Sequence, residues 1–284
     1  MKEKKKTFAI SEDRMFSSVL SQNKDLVKLL VETVLGIKIG EVTHIEPQRV
    51  MDFETGIRSF RLDVYFEDSN GDAFDVEMET PRDLNKLHLL PVRAFTYSSG
   101  IFHHKYPKGT KFENIRNTYV IFLCLHDPFG DGLAMTKEGQ CNMGSSSKEV
   151  KHCIQYLYLN CSAKVWNVSD ELKALLDYLA GRPHMKTKLT EGLQSVVNRY
   201  NKSEDWRKWA MLFEYRLIEE REEAFTKGKM QGKTLGIAEG KKLDQVSMAE
   251  KMIRRGDSNE EILALTDCLK QKDLEKLRRK VRLE

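Results

Sequence analysis

The chain has no apolar run of about 18 residues, so no transmembrane helix is expected. Its start, MKEKKKTFAISEDRMF, is basic but lacks the apolar stretch of a secretory leader. Five cysteines are scattered through 284 residues without a C-x-x-C pair, which argues against a zinc ribbon and against a disulfide framework. The seven histidines form no H-E-x-x-H pattern, and no P-loop or G-x-G-x-x-G follows a strand. Ser145-Ser146-Ser147 lies in a Gly- and Lys-rich loop, with none of the context of a nucleophile elbow. Zinc-protease, nucleotide-binding and serine-hydrolase chemistry therefore have no support. No nucleotide cofactor and no membrane partner are expected, and the reducing cytoplasm is the natural compartment.

What the chain does have is charge and pattern. Hydrophobic content of 40% beside 32% charged residues suits a buried core under a charged surface. The net charge of +4 is unevenly placed: from Lys227 onward 15 Lys/Arg face 10 Asp/Glu, leaving the first 226 residues slightly acidic. A basic extension can face a polyanion or can be solvated helix surface.

Helical periodicity predicts one helix over 13–35, ending at Gly36, and others over 84–104, 169–179, 186–200 and 203–225. Weak strand patterns cover 42–45 and 48–51, while Thr118 to Leu125 and Ile154 to Asn160 read as strands, the first fully buried. The order predicts an α/β core with a helical C-terminal half. Three regions follow: 1–225 as the main domain, 226–243 as a linker with glycine every fourth residue, and 244–284 as a small basic helical tail. The tail fits a helix-turn-helix, or a helical hairpin that dimerises the chain.

The segment RLDVYFEDSNGDAFDVEMET is the densest in information. Phe60, Leu62, Val64 and Phe66 alternate with polar partners, as do Phe74, Val76 and Met78, which predicts a hairpin with one apolar and one wet face. Matching the apolar faces pairs 66 with 74, 64 with 76 and 62 with 78, across a Ser69-Asn70-Gly71 loop. That register sets Asp63 opposite Glu77, with Cβ atoms about 5 Å apart. Opposed carboxylates repel unless a cation lies between them, and Mg²⁺ suits two such ligands. The same acids can also be read as an ordinary solvent face, with Arg61 and Glu79 as a cross-strand ion pair.

Asp63 followed after thirteen residues by Glu77-Met78-Glu79 is similar to the PD-(D/E)-x-K nuclease site. The chain as a whole resembles the Rpn family of recombination-promoting nucleases, through DRMFSSVL, LLVETVLGIKIG, the hairpin, VRAFTYSSGI, TYVIFLCLHDPFG, YLYLN and the glycine-spaced tail. The resemblance implies a restriction-endonuclease-like αβββαβ core and a Mg²⁺-dependent (or Mn²⁺-dependent) DNA endonuclease. It implies that Asp63 and Glu77 bind the metal with the Met78 carbonyl, and that Glu32 on the first helix is directed at the same centre. Arg93 and Tyr97 match an Arg…Tyr pair that faces phosphate or packs internally. Two departures stand out: Leu62 replaces the motif proline, and Glu79 replaces the usual Lys or Gln. An ionised carboxylate offers no donor, so either Arg82, Lys86 or Arg93 supplies the missing cation, or the fold survives as a DNA-binding or assembly protein without chemistry. A homodimer would suit cleavage of both strands.

Overall fold

The computed structural model describes residues 6–51, 59–80, 88–139, 141–142, 148–149 and 153–283. The chain divides into two units, Met1–Lys208 and Trp209–Glu284.

The first unit opens with two helices, α1 (Asp13–Ser21) and α2 (Lys24–Leu35), where the periodicity predicts one. The break has a local cause: the Asn23 side chain donates to the Val19 carbonyl, and Gln22 and Asn23 leave helical geometry. Gly36 closes α2 in the left-handed conformation at φ 70°. Strands β1 (Val42–Pro47), β2 (Val50–Met51), β3 (Phe60–Arg61), β4 (Val64–Asp68) and β5 (Ala73–Glu79) follow. Helix α3 (Leu90–Lys105) leads to β6 (Thr118–Cys124); then come β7 (Met135–Glu138), β8 (Cys141–Asn142), β9 (Lys148–Glu149) and β10 (Ile154–Asn160). Helices α4 (Asp170–Leu179) and α5 (Lys188–Lys202) complete this unit, and α6 (Glu204–Arg255) begins in it.

The main sheet has strand order β1-β4-β5-β6-β10-β7. β1, β4 and β5 form an antiparallel meander, and β5, β6 and β10 run parallel. Helix α3 is the crossover between parallel β5 and β6, as parallel neighbours require. The core is thus αβββαβ, a mixed sheet flanked by helices.

The hairpin keeps the expected register, Val64 opposite Val76 and Phe66 opposite Phe74. Gly71 takes φ 81° in the turn, the left-handed position the three-residue loop demands. Phe66, Phe74 and Tyr119 stack in a row across β4, β5 and β6, with centroids 4.7 and 5.0 Å apart. Two expectations fail here. The second face is not wet: α3 covers it, and Tyr65, Asp75 and Glu77 are buried beneath. The ladder also stops at Val64, because Phe60–Arg61 pairs with Val50–Met51 instead. Leu62 then packs with Met51 and Tyr65, and no 62-to-78 ladder pair forms.

Pro91 sits in the first turn of α3, where its missing N–H costs nothing. Ser169 caps α4 by accepting from Leu172 N at 3.2 Å. In the second unit α6 continues unbroken through Gly228, Gly232, Gly236 and Gly240, the segment the sequence marks as a linker. It ends before Gly256, and α7 (Asn259–Leu265) and α8 (Gln271–Leu283) close a small core of Met252, Ile253, Ile262, Leu269 and Leu274. Ser258 and Glu261 form a capping box on α7.

Candidate active site

Asp63 occupies the bend between β3 and β4, where two backbone bonds pin the chain: Gln48 N donates to the Asp63 carbonyl at 2.8 Å, and Leu62 N to Arg49 at 2.9 Å. Released from the ladder, Asp63 interlocks with β5. Its N–H donates to Glu77 Oε1 at 2.7 Å, and its own Oδ2 accepts from Met78 N at 3.1 Å. Asp63 and Glu77 therefore meet through backbone amides, those of Asp63 and Met78, rather than as a ladder pair.

Both face a cleft of about 400 Å³ lined also by Asp13, Arg61, Met78, Glu79, Thr80, Arg93 and Tyr97. Arg93, on the α3 face turned to the sheet, donates to Glu79 Oε2 at 2.5 Å and lies 3.6 Å from Glu77 Oε2. It also donates to the Tyr97 hydroxyl at 3.3 and 3.4 Å, and its guanidinium lies over the Phe122 ring. Tyr97 in turn stacks on Phe60, 5.0 Å between centroids.

The electrostatics follow from burial. Burial, then the nearby Asp13 carboxylate, raises Asp63 to about 6. Burial raises Glu77 well above the usual carboxylate range, and repulsion from Asp75 and Asp63 adds to it. Asp75, two residues earlier on the same face, is raised well above its ordinary value too, by burial and by Asp63. It has 0% exposure, and its carboxyl lies against that of Glu77. Burial and mutual repulsion thus favour the neutral form of these crowded acids, and protonation or a bound cation would relieve them.

Several expected residues lie elsewhere. Glu32 is not directed at this centre: its carboxylate holds Lys38 Nζ at 2.6 Å and accepts from Ile39 N at 3.3 Å. Although burial opposes its charge, those partners keep its pKa below the ordinary value. Arg61 does not face Glu79; it donates to Asp13 Oδ2 at 3.3 Å, while Glu79 takes Arg93. Arg82 and Lys86 fall outside the described residues. The helix acid that reaches the cleft is Asp13, in the first turn of α1 within the DRMFSSVL segment. Asp13 and Asp75 were missed: one is a first-turn acid of a kind common on helices, the other stands among strand acids that pattern alone makes solvent-facing.

Residues 13–178 match the family described as PD-(D/E)XK nuclease family transposase. The chain belongs to this family. No curated protein and no solved structure matches it. The match spans α1 to α4, and so contains every element that builds the cleft. PD-(D/E)XK nucleases typically use divalent metal ions, so the fit of such an ion matters here. Among the described residues no group of three or more His, Cys, Asp or Glu is disposed to hold a metal. A hard ion such as Mg²⁺ needs less, one or two carboxylates beside water and phosphate. Asp63 and Glu77 with a peptide carbonyl meet that need, and the surplus of buried carboxyls calls for a cation.

Proposed function

We propose that this PD-(D/E)XK family chain is a metal-dependent DNA endonuclease, hydrolysing phosphodiester bonds in recombination or transposition. The observation that carries this reading is the interlock of Asp63 and Glu77 in one cleft, crowded with Asp13 and Asp75. Asp63, Glu77 and the Met78 carbonyl would hold Mg²⁺, or Mn²⁺, which when bound supplies an acidified water and polarises the scissile phosphate.

The chain's own residues do the rest. Arg93, steadied by Glu79 and Tyr97, presents positive charge beside Glu77. Charge developing on phosphorus is stabilised best by a cation already in place. Glu79 then acts by anchoring Arg93, not as the donor that Lys or Gln provides at this position. Arg61, held by Asp13, lines the same cleft and offers a second contact for the DNA backbone.

A second reading has one observation in its favour. Glu79 neutralises Arg93, the cation nearest Glu77, which suits a DNA-binding or assembly protein that has lost chemistry. Nicking of supercoiled plasmid separates the two. Cleavage in Mg²⁺ or Mn²⁺ that stops with EDTA, and is absent from Asp63→Ala and Glu77→Ala, supports the nuclease. Salt-sensitive DNA binding without nicking in either metal supports the second reading.

A further inference from the structure

Helix α6 carries an unusual outer seam. Met211, Tyr215, Ile218, Phe225 and Leu243 fall on one line of alternating four- and three-residue steps that also passes through Glu222, Lys229, Gly232, Gly236 and Glu239, so five of its ten positions are apolar. All five apolar side chains are exposed, Phe225 at 73% and Tyr215 and Leu243 at 69% each. Gly232 and Gly236 fall on the same seam, and the helix still runs through them without a break. Glycine is the poorest helix former after proline, and an apolar seam on a 3.5-residue repeat is the mark of a partner helix. The small core of the second unit involves α6 only from Val246 onward.

Charge selects the partner. In a parallel pair of identical helices each seam position meets itself, which sets Glu222 against Glu222 and Lys229 against Lys229. It also brings Glu214 beside Glu219 of the other helix. An antiparallel pair with its two-fold at the level of Lys227 removes all three clashes. Met211 then packs on Leu243, Ile218 fits over Gly236, and the Phe225 ring meets the Lys229 stem. The flanking positions become Glu214 with Lys242 and Glu219 with Lys233, each pair occurring twice. We infer that the seam of α6 binds a second copy of this chain in antiparallel orientation, making the protein a two-fold dimer. The seam lies wholly outside the nuclease match and would stand even if the cleft proved inactive.

Thr226, beside the proposed two-fold, tests the geometry. In the full-length chain Thr226→Cys should form a self-crosslinked dimer under mild oxidation, while the unsubstituted chain does not. Light scattering at micromolar concentration should give a dimer. Glu214→Lys with Glu219→Lys should weaken it about tenfold or more, as should Lys233→Glu with Lys242→Glu. All four changes together should restore it. A monomer, whether α6 stays bare or is covered by its own chain, overturns the inference. So does a dimer that neither crosslinks through residue 226 nor recovers when the charge reversals are combined.

Discussion

The sheet and the tail use carboxylates in opposite ways. Under α3, buried Asp75 and Glu77 and half-buried Asp63 are crowded and raised in pKa. In the C-terminal unit Asp257, Glu261 and Asp267 are held by Arg255, by the Ser258 cap and by Lys241, and each is lowered, Asp267 to about 2. The tail spends its acids on neighbours already present, so the local structure accounts for them. The cleft crowds acids together under burial, and the fold itself opposes their ionisation.

Arg93 offers the sharpest way to break this contrast. If its positive charge serves the cleft, Arg93→Ala should lower the nicking rate about 10²- to 10³-fold, with Arg93→Lys in between. Loss of fold rather than rate, read by circular dichroism, would make it a packing residue.

Next comes the pH dependence of the metal-free protein. Asp63 has a folded pKa raised to about 6, so its contribution to stability is complete below its unfolded value near 3.8 and is lost as pH rises through 6. Melting temperature should therefore fall between pH 4 and 7, by up to about 3 kcal/mol in stability. Asp63→Asn should lessen that fall without abolishing it, because Asp75 and Glu77 are raised as well, and Mg²⁺ should stabilise above pH 6 far more than below. A flat profile in the unsubstituted chain would remove the case for crowded, burial-shifted acids.

Glu32→Gln tests the residue the structure moves out of the centre. It should leave nicking within about threefold while costing about 1–2 kcal/mol in denaturant titration, because the buried Glu32 loses its charge-assisted bonds to the exposed Lys38 and to Ile39 N. A large loss of activity at unchanged stability would return Glu32 to the site. The smallest effect belongs to Ser258→Ala, about 1 kcal/mol from a lost helix cap, seen as faster amide exchange in α7 and no change in the cleft.

Local patterns predicted much of this. Alternation over 64–66 and 74–76, with glycine at 71, predicts the hairpin register, since a strand's period leaves only one way to match two apolar faces. The Ser169 and Ser258 caps and the buried run at 118–124 are also local signals. The break at Asn23 was not legible, because the periodicity on its two sides happens to stay in phase. Nor was the covering of the acidic face, since alternation shows that two faces differ and not what packs on each. Asp13 and Arg93 lie 50 and 30 positions from Asp63 in sequence, and no spacing rule joins them to it.

By itself the sequence determined the hairpin strands and their pairing around residue 71, the buried strands at 118–124 and 154–160 and the capped helices, because each depends on neighbours within a few residues or on one hairpin. The tertiary structure decided which acids share the cleft, that Asp75 is buried against Glu77, and that Glu79 holds Arg93. Those outcomes depend on where α1 and α3 lie against the sheet, and burial by a distant element sets the charge of a carboxylate as strongly as its own chemistry does.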